Sequence, residues 1–234
     1  MRWSILSLIL IAGVFAMVAG QGFFAKADEG ESHRLPAPKL ELTADKAPKP
    51  GETHTAIFAG GCFWCTEGAI EQFRGVKKVT SGYAGDKKEN ANYEAVCSHT
   101  TNHAESIRIE YDPSVIKYAQ LLQIFFTAHD PTTKDRQGND VGHQYRSAIF
   151  YQSDDEKKVA EAYIKQLDDA HVFAKPIVTT LEPLTGFYPA EDYHQNYVSL
   201  NPNQPYVRAC AIPKMEKVRK AYKEWLKTPE EAKK

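Results

Sequence analysis

The chain carries no surplus of basic charge. Its 29 Lys and Arg stand against 30 Asp and Glu, a formal net charge of −1, so no broad electrostatic attraction draws it to a nucleic-acid backbone. Four cysteines in 234 residues are too few to staple a fold of this size, which excludes a disulfide-framed mini-domain. Neither a GxGxxG nor a GxxxxGKS/T pattern occurs, which removes the common nucleotide-binding folds. The single CxxC has no second CxxC to complete it, so the signal for a metal centre built from Cys62, Cys65, Cys97 and histidines is poor. There is no internal repeat. The remaining composition, 42% hydrophobic and 25% charged, is that of an ordinary globular protein of one domain or two small ones.

The N-terminus reads as a separate unit. Met1-Arg2 supplies a charge, Trp3 to Ala25 is nearly free of polar residues, and Ala25-Lys26-Ala27 fits a small-residue cleavage site before Asp28. Residues 1–27 are therefore expected to be a signal peptide. The apolar stretch is also close to bilayer-spanning length, so an uncleaved anchor facing the periplasm is the alternative. Either outcome exports the folded part, with a periplasmic location expected, into a compartment where cysteines pair. Residues 28–53 hold Pro36, Pro38, Pro48 and Pro50 among Lys, Glu and Asp with no apolar period, the composition of a flexible linker. The folded domain is expected over 54–227, with a charged tail over 228–234.

Within 54–227, apolar runs and periodic segments alternate. Strands are expected at 54–59, 76–84, 105–111, 146–151 and 177–181, and helices at 62–73, 118–128, 154–171 and 215–226. Residues 85–92 read as a polar loop, 131–144 as a loop long enough to carry function, and 189–197 as a short polar-aromatic helix or loop. The pattern implies an α/β (α+β) fold with helices packed on a sheet.

The most informative stretch is Gly60-Gly61-Cys62-Phe63-Trp64-Cys65-Thr66-Glu67-Gly68, directly after the strand-like Thr55-Ala56-Ile57-Phe58-Ala59. A thiol at a helix N-terminus meets unpaired N–H groups and the positive end of the dipole, which favours thiolate and marks Cys62 as a nucleophile. Cys65, one helical turn on, lies within disulfide reach. Phe63 and Trp64 suggest an apolar pocket beside the sulfur. These residues alone leave three readings open: a dithiol oxidoreductase of thioredoxin type, a junction with a structural disulfide, and a cysteine enzyme with its own substrate pocket.

The downstream motifs favour the third. Gly82-Tyr83-Ala84-Gly85, Asn92-Tyr93-Glu94-Ala95-Val96-Cys97, His103-Ala104-Glu105, Gly138-Asn139-Asp140-Val141-Gly142, Gln144-Tyr145-Arg146-Ser147 and Tyr193-His194-Gln195 follow Gly61-Cys62-Phe63-Trp64 in order. Together they resemble the signature of the type A peptide methionine sulfoxide reductases, over about residues 54–227. The resemblance implies a single domain with a ferredoxin-like mixed sheet core. It implies thiol-dependent reduction of methionine-S-sulfoxide, free or in proteins, as a repair activity. Cys62 then corresponds to the nucleophile, Phe63 and Trp64 to the pocket for the methyl group, Tyr93, Glu105 and Tyr145 to the surroundings of the sulfoxide oxygen, and Asp140 to an acidic residue that organises the site. It also implies no bound cofactor, an external thioredoxin-like dithiol as reductant, oxidised proteins or peptides as substrates, and a monomer.

The chemistry suits those residue types. Thiolate attack on a sulfoxide needs a proton delivered to oxygen, and a carboxyl supplies it at neutral pH only when burial raises its pKa. Attack leaves a sulfenic acid that a second thiol condenses to a disulfide. Many relatives in the resembled family have glycine at position 65 and recycling cysteines near the C-terminus. Here Val207 follows Pro205-Tyr206 where cysteine is common, and Cys210 sits three residues later. Cys65 is expected to resolve Cys62, with Cys210 a second resolving thiol. His194 is expected to pack rather than react.

Overall fold

The computed structural model describes residues 34–49 and 51–233. The expected signal peptide or anchor, residues 1–27, lies outside the described residues. Chain order runs α1 (Thr43–Lys46), β1 (His54–Gly60), α2 (Phe63–Glu71), β2 (Val76–Ala84), α3 (Tyr93–Cys97), β3 (Ala104–Tyr111), α4 (Tyr118–Ala128), β4 (Arg136–Gln137), β5 (Asp140–Val141), β6 (Ser147–Tyr151), α5 (Asp154–Asp169), β7 (Thr180–Pro183), β8 (Phe187–Pro189), α6 (Tyr197–Leu200) and α7 (Ile212–Ala221).

Six strands form one mixed sheet in the order β7-β6-β1-β3-β2-β8. All pairs are antiparallel except β6 with β7. β1 is central, and its run Ala56-Ile57-Phe58-Ala59 is buried on both sides. The strand period of two sends Ala56 and Phe58 to one face and Ile57 and Ala59 to the other. Ile107, Ile109 and Tyr111 of β3 join Phe58 in the main core, against Ala69 and Ile70 of α2 and Phe73 just past its end, Leu122 and Phe125 of α4, and Val159 and Tyr163 of α5. The opposite face is a smaller cluster of Ile57, Ala59, Ala84, Ala104, Ala148 and Phe150. The architecture is thus a mixed α/β domain with its large helices on one side of the sheet.

Element boundaries differ from the sequence expectation where local chemistry is subtle. The helix expected to open at Cys62 begins at Phe63, with Cys62 as its N-cap residue. The strand expected at 177–181 is β7, displaced to 180–183. The 131–144 loop folds a two-residue ribbon, β4 and β5, around Gly138 at φ +62°. The last helix starts earlier, at Ile212, and is preceded by a π-helical turn at Val207–Ala211. That wider turn offsets the Cys210 region from an α-helical register.

The expected flexible linker is corrected for residues 34–49, which lie on the domain as a strap. Leu35 and Leu42 are buried, Gln123 Nε2 donates to the Leu35 carbonyl at 2.6 Å, and Tyr163 Oη donates to the Pro36 carbonyl at 2.9 Å. Prolines remove backbone donors without preventing carbonyls from being used. The strap is pinned at Asp45, whose side chain is inaccessible to solvent. Asp45 Oδ2 accepts the Tyr118 N–H at 2.7 Å, Oδ1 lies 2.8 Å from His54 Nδ1, and Tyr111 Oη donates at 3.4 Å. Lys117 Nζ binds the Asp45 carbonyl. Removing one partner of such a buried charged network exposes the others to unsatisfied burial. Asp45→Ala is expected to lower unfolding stability by about 2–4 kcal/mol, measured by denaturant titration; a loss under about 0.5 kcal/mol would show that the strap is not pinned there.

Candidate active site

The site is built where β1 hands the chain to α2. Gly61 has φ +88°, and a Cβ there would stand 2.5 Å from Gln137 Cγ, so this turn needs glycine. It sets Cys62 at the helix N-cap, with its carbonyl accepting the Cys65 and Thr66 N–H groups at 3.1 and 3.3 Å. The first helical N–H, that of Phe63, has no intrahelical acceptor. Glu105 of β3 takes it, with Oε2 at 3.0 Å.

Glu105 shares the β3 face of Ile107 and Ile109 and is 2% exposed. Its location under the helix end favours the anion, and so does the Phe63 N–H, but burial outweighs both. Desolvation pushes its pKa up to about 8, with the Asp140 and Cys65 charges adding to the rise. The carboxyl is therefore mainly protonated at neutral pH and able to donate.

Cys62 departs from the expectation of an ionised thiol. It is 5% exposed, and burial pushes its pKa well up, with Cys65 and the Glu105 charge acting the same way. Burial here outweighs the helix N-terminus. Cys65 moves the other way, to about 7, because its sulfur interacts with the Cys62 thiol. The two sulfurs thus form one interacting pair a helical turn apart, in which burial opposes ionisation of Cys62. All four cysteines are free thiols.

A cavity of about 250 Å³ opens over these groups. It is lined by Cys62, Phe63, Trp64, Tyr93, Glu105, Asp140 and Tyr145, so the fold brings together seven residues that lie from 62 to 145 in the chain. Tyr93 opens α3, which Asn92 caps by accepting the Ala95 N–H at 2.9 Å, while Glu191 accepts the Tyr93 N–H at 2.9 Å. Tyr145 lies in the turn that follows the β4–β5 ribbon. Burial raises the pKa of both tyrosines, which keeps their hydroxyls as donors.

Cys65 is 1% exposed and lies behind the cavity in a cluster with Cys62, Val198, Val207 and Ala211, against which the half-buried Cys210 packs. Cys97 does not line the cavity; it is half-buried beside Tyr93. His194 is buried against Phe63, Trp64 and Tyr93, with ring centroids 5.0, 5.6 and 4.6 Å away.

Three contributors were missed in the sequence. Gln204 and Tyr206 complete the cavity lining, and Tyr206 Oη donates to Asp140 Oδ2 at 2.5 Å while standing 3.9 Å from Cys65 Sγ. Glu67 is 2% exposed; its carboxylate accepts the Ser81 hydroxyl and the Asn196 N–H, each at 3.0 Å. That bond fixes Asn196 at φ 53°, just before Tyr197, whose ring stacks on Trp64 at 3.8 Å. An acid two residues after the CxxC was the available signal for Glu67. Tyr206 carried only the Pro-Tyr dipeptide.

Comparison with known proteins agrees with this geometry. Residues 54–226 match the family described as peptide methionine sulfoxide reductase. A peptide methionine sulfoxide reductase MsrA of Thermus thermophilus is 52% identical over 172 residues, covering 74% of this chain and 97% of its own. The MsrA of Deinococcus radiodurans is 46% identical over 202 residues, covering 86% and 97%. Among solved structures, Mxr1 from Saccharomyces cerevisiae in reduced form superposes with a TM-score of 0.60 at 34% identity, covering 67% of this chain and 90% of that one. Methionine sulfoxide reductase A of Corynebacterium diphtheriae gives 0.55 at 33% identity, covering 72% and 83%.

Proposed function

The chain belongs to the peptide methionine sulfoxide reductase family and reduces methionine sulfoxide to methionine, and from that premise we propose how its residues do so. The substrate methyl group enters between Phe63 and Trp64, where sulfur and methyl contact aromatic faces favourably. The sulfoxide oxygen points to Glu105 and the hydroxyls of Tyr93 and Tyr145, an oxyanion-type arrangement. Cys62 sulfur attacks the sulfoxide sulfur as Glu105 protonates the oxygen. Attack joins the Cys62 sulfur to the substrate sulfur; the S–O bond and that S–S bond then break as the hydroxyl passes to Cys62, leaving a sulfenic acid on Cys62 and methionine, and the Cys62 proton restores Glu105, so atoms balance. Asp140, tied to Tyr206, holds the cavity wall. The observation that carries this reading is the buried Glu105 carboxyl, bonded to the Phe63 N–H and lining one cavity with Cys62.

Cys65 then attacks the sulfenic sulfur, forms the Cys62–Cys65 disulfide and releases water. Cys210, half-buried against the same cluster, takes the disulfide outward, where an external thioredoxin-like dithiol reduces it. The asymmetric, walled cavity selects the S epimer of the sulfoxide, free or in a polypeptide. The enzyme works as a monomer on exported proteins, delivered by the N-terminal 27 residues. The support for export is the sequence pattern there.

Cys65→Ser is expected to release about one methionine per enzyme in a single turnover, because the first step needs only Cys62, and then to recycle at least ~10²-fold more slowly with a dithiol, the scale of a lost proximity effect. Rapid-quench counting of methionine followed by steady-state turnover measures both. Unimpaired recycling would assign resolution to Cys210. Offered the two separated sulfoxide epimers, the wild type should consume the S form alone; equal consumption would sink the proposed pocket geometry.

A further inference from the structure

Closing the Cys62–Cys65 disulfide requires a proton to leave Cys65 and a proton to reach the departing oxygen, because hydroxide leaves slowly without one. Cys65 is 1% exposed, so bulk water is badly placed to take its proton. A hydroxyl group does reach it. Cys65 Sγ donates to Tyr206 Oη at 3.9 Å, a long reach set by the size of sulfur, and Tyr206 Oη donates in turn to Asp140 Oδ2 at 2.5 Å. The Cys62 thiol interacts with the same hydroxyl. Cys62, Asp140 and Tyr206 line one cavity, so an oxygen left on Cys62 shares that cavity with the carboxyl at the far end of this chain of bonds.

Local structure fixes the hydroxyl in that place. Tyr206 enters the π-helical turn Val207–Ala211. Gln204 pins the entry, its Oε1 accepting the Val207 N–H at 2.9 Å and its carbonyl the Arg208 N–H at 3.0 Å. Val207 is buried, and the Trp64 ring meets the Tyr206 ring edge-on at 6.0 Å. Burial and the charges of Cys62 and Cys65 push the Tyr206 pKa up, so the hydroxyl passes a proton on rather than holding a charge. The need for a base grows during the reaction. The Cys62 thiol is the main influence that lowers the Cys65 pKa. After the first step that thiol has become a sulfenic acid, while the burial that opposes ionisation of Cys65 is unchanged.

We propose that Tyr206 is a catalytic residue of the resolving step, a proton relay that joins Cys65 to Asp140. The proposal deepens the reductase reading and rests on it. The Cys65 sulfur bonds to the Cys62 sulfur as the Cys62 S–O bond breaks. The Cys65 proton passes to the Tyr206 oxygen, and the Tyr206 proton passes to Asp140. Asp140 delivers a proton to the departing hydroxyl, which leaves as water. The Cys65 thiol is oxidised and the sulfenic sulfur of Cys62 is reduced, so no outside electron donor enters. Tyr206 and Asp140 end the step in the protonation states in which they began it.

The test is a single turnover without reductant in a Cys210→Ser protein, where Cys65 is the resolving thiol. Rapid quench follows methionine release, and dimedone labelling follows the decay of the Cys62 sulfenic acid into disulfide. Adding Tyr206→Phe, which keeps the ring against Trp64, is expected to slow disulfide formation about 10²-fold, the scale of a positioned proton transfer. That slowing should exceed any change in methionine release at least ~10-fold, which separates the relay from a general disturbance of the cavity. Disulfide formation should be nearly independent of pH between about 6 and 8 with the relay intact, and should rise with pH in Tyr206→Phe, where bulk solvent must take the Cys65 proton. Tyr206→Phe combined with Asp140→Asn should form the disulfide about as slowly as either alone, because both break one relay. Equal slowing of both steps, a disulfide rate within about threefold of the parent, or additive losses in the double variant would each overturn the relay. Methionine release with no Cys62–Cys65 disulfide in the Cys210→Ser parent would also overturn it and leave the reductase reading standing. No methionine release from the wild type would instead remove the reductase reading itself.

Discussion

Cys62→Ser is expected to reduce methionine release to the assay background, in single turnover as well as at steady state. An alcohol is a far weaker nucleophile than a thiol at neutral pH, and the other thiols are poorly placed to replace it. Cys65 is 1% exposed and sits behind Cys62, and Cys97 and Cys210 are absent from the cavity lining. Folding should persist, since the side chain at an N-cap is replaced by one that caps well. Rapid-quench measurement with stoichiometric substrate, beside an unfolding curve, checks both halves. Near-normal release from a folded Cys62→Ser protein would remove Cys62 from the reaction.

Glu105→Gln is expected to slow the reductive step by ~10²–10⁴-fold, the usual contribution of a positioned acid, with a much smaller effect on substrate affinity. The amide keeps the shape and still accepts the Phe63 N–H, but has no proton of the right acidity to give. Glu105 has its pKa raised to about 8, so its donating form is complete at pH 6–7 and is lost as pH rises through about 8. The wild-type single-turnover rate should therefore fall above pH 8, and that limb should vanish from the residual rate of Glu105→Gln. A variant within a few-fold of wild type, or one that keeps the alkaline limb, would place the acid elsewhere.

The parts of this molecule set by local pattern could be read from the sequence. The strand-to-helix turn at Gly60-Gly61, the i, i+3 pair of Cys62 and Cys65, and the alternation of Ile107 and Ile109 all express short-range geometry. The seven cavity residues were legible through motifs, because each motif is a contiguous peptide. Long-range partners were not. Tyr206 meets Asp140 across 66 residues and Glu67 meets Asn196 across 129, and neither pair leaves a periodic trace. The upward pull of burial on the Cys62 thiol was not legible in the sequence for a related reason. A helix N-terminus is visible in sequence, whereas the depth at which its sulfur is buried depends on Tyr206, Val207 and α6 closing over it. The strap at 34–49 was missed because proline and charge dominate its composition, while its attachment depends on two leucines and one buried aspartate.

The most direct measurement uses the Cys65→Ser, Cys210→Ser double variant, which retains the attacking thiol and Cys97 but neither proposed resolving thiol. After one turnover without reductant, the protein is labelled with dimedone, which captures sulfenic acids, and the label is located by peptide mass spectrometry. The expected result is about one label per methionine released, on Cys62, with Cys97 unmodified. Methionine released with the label on Cys97, or with no label anywhere, would contradict attack by Cys62 on the sulfoxide.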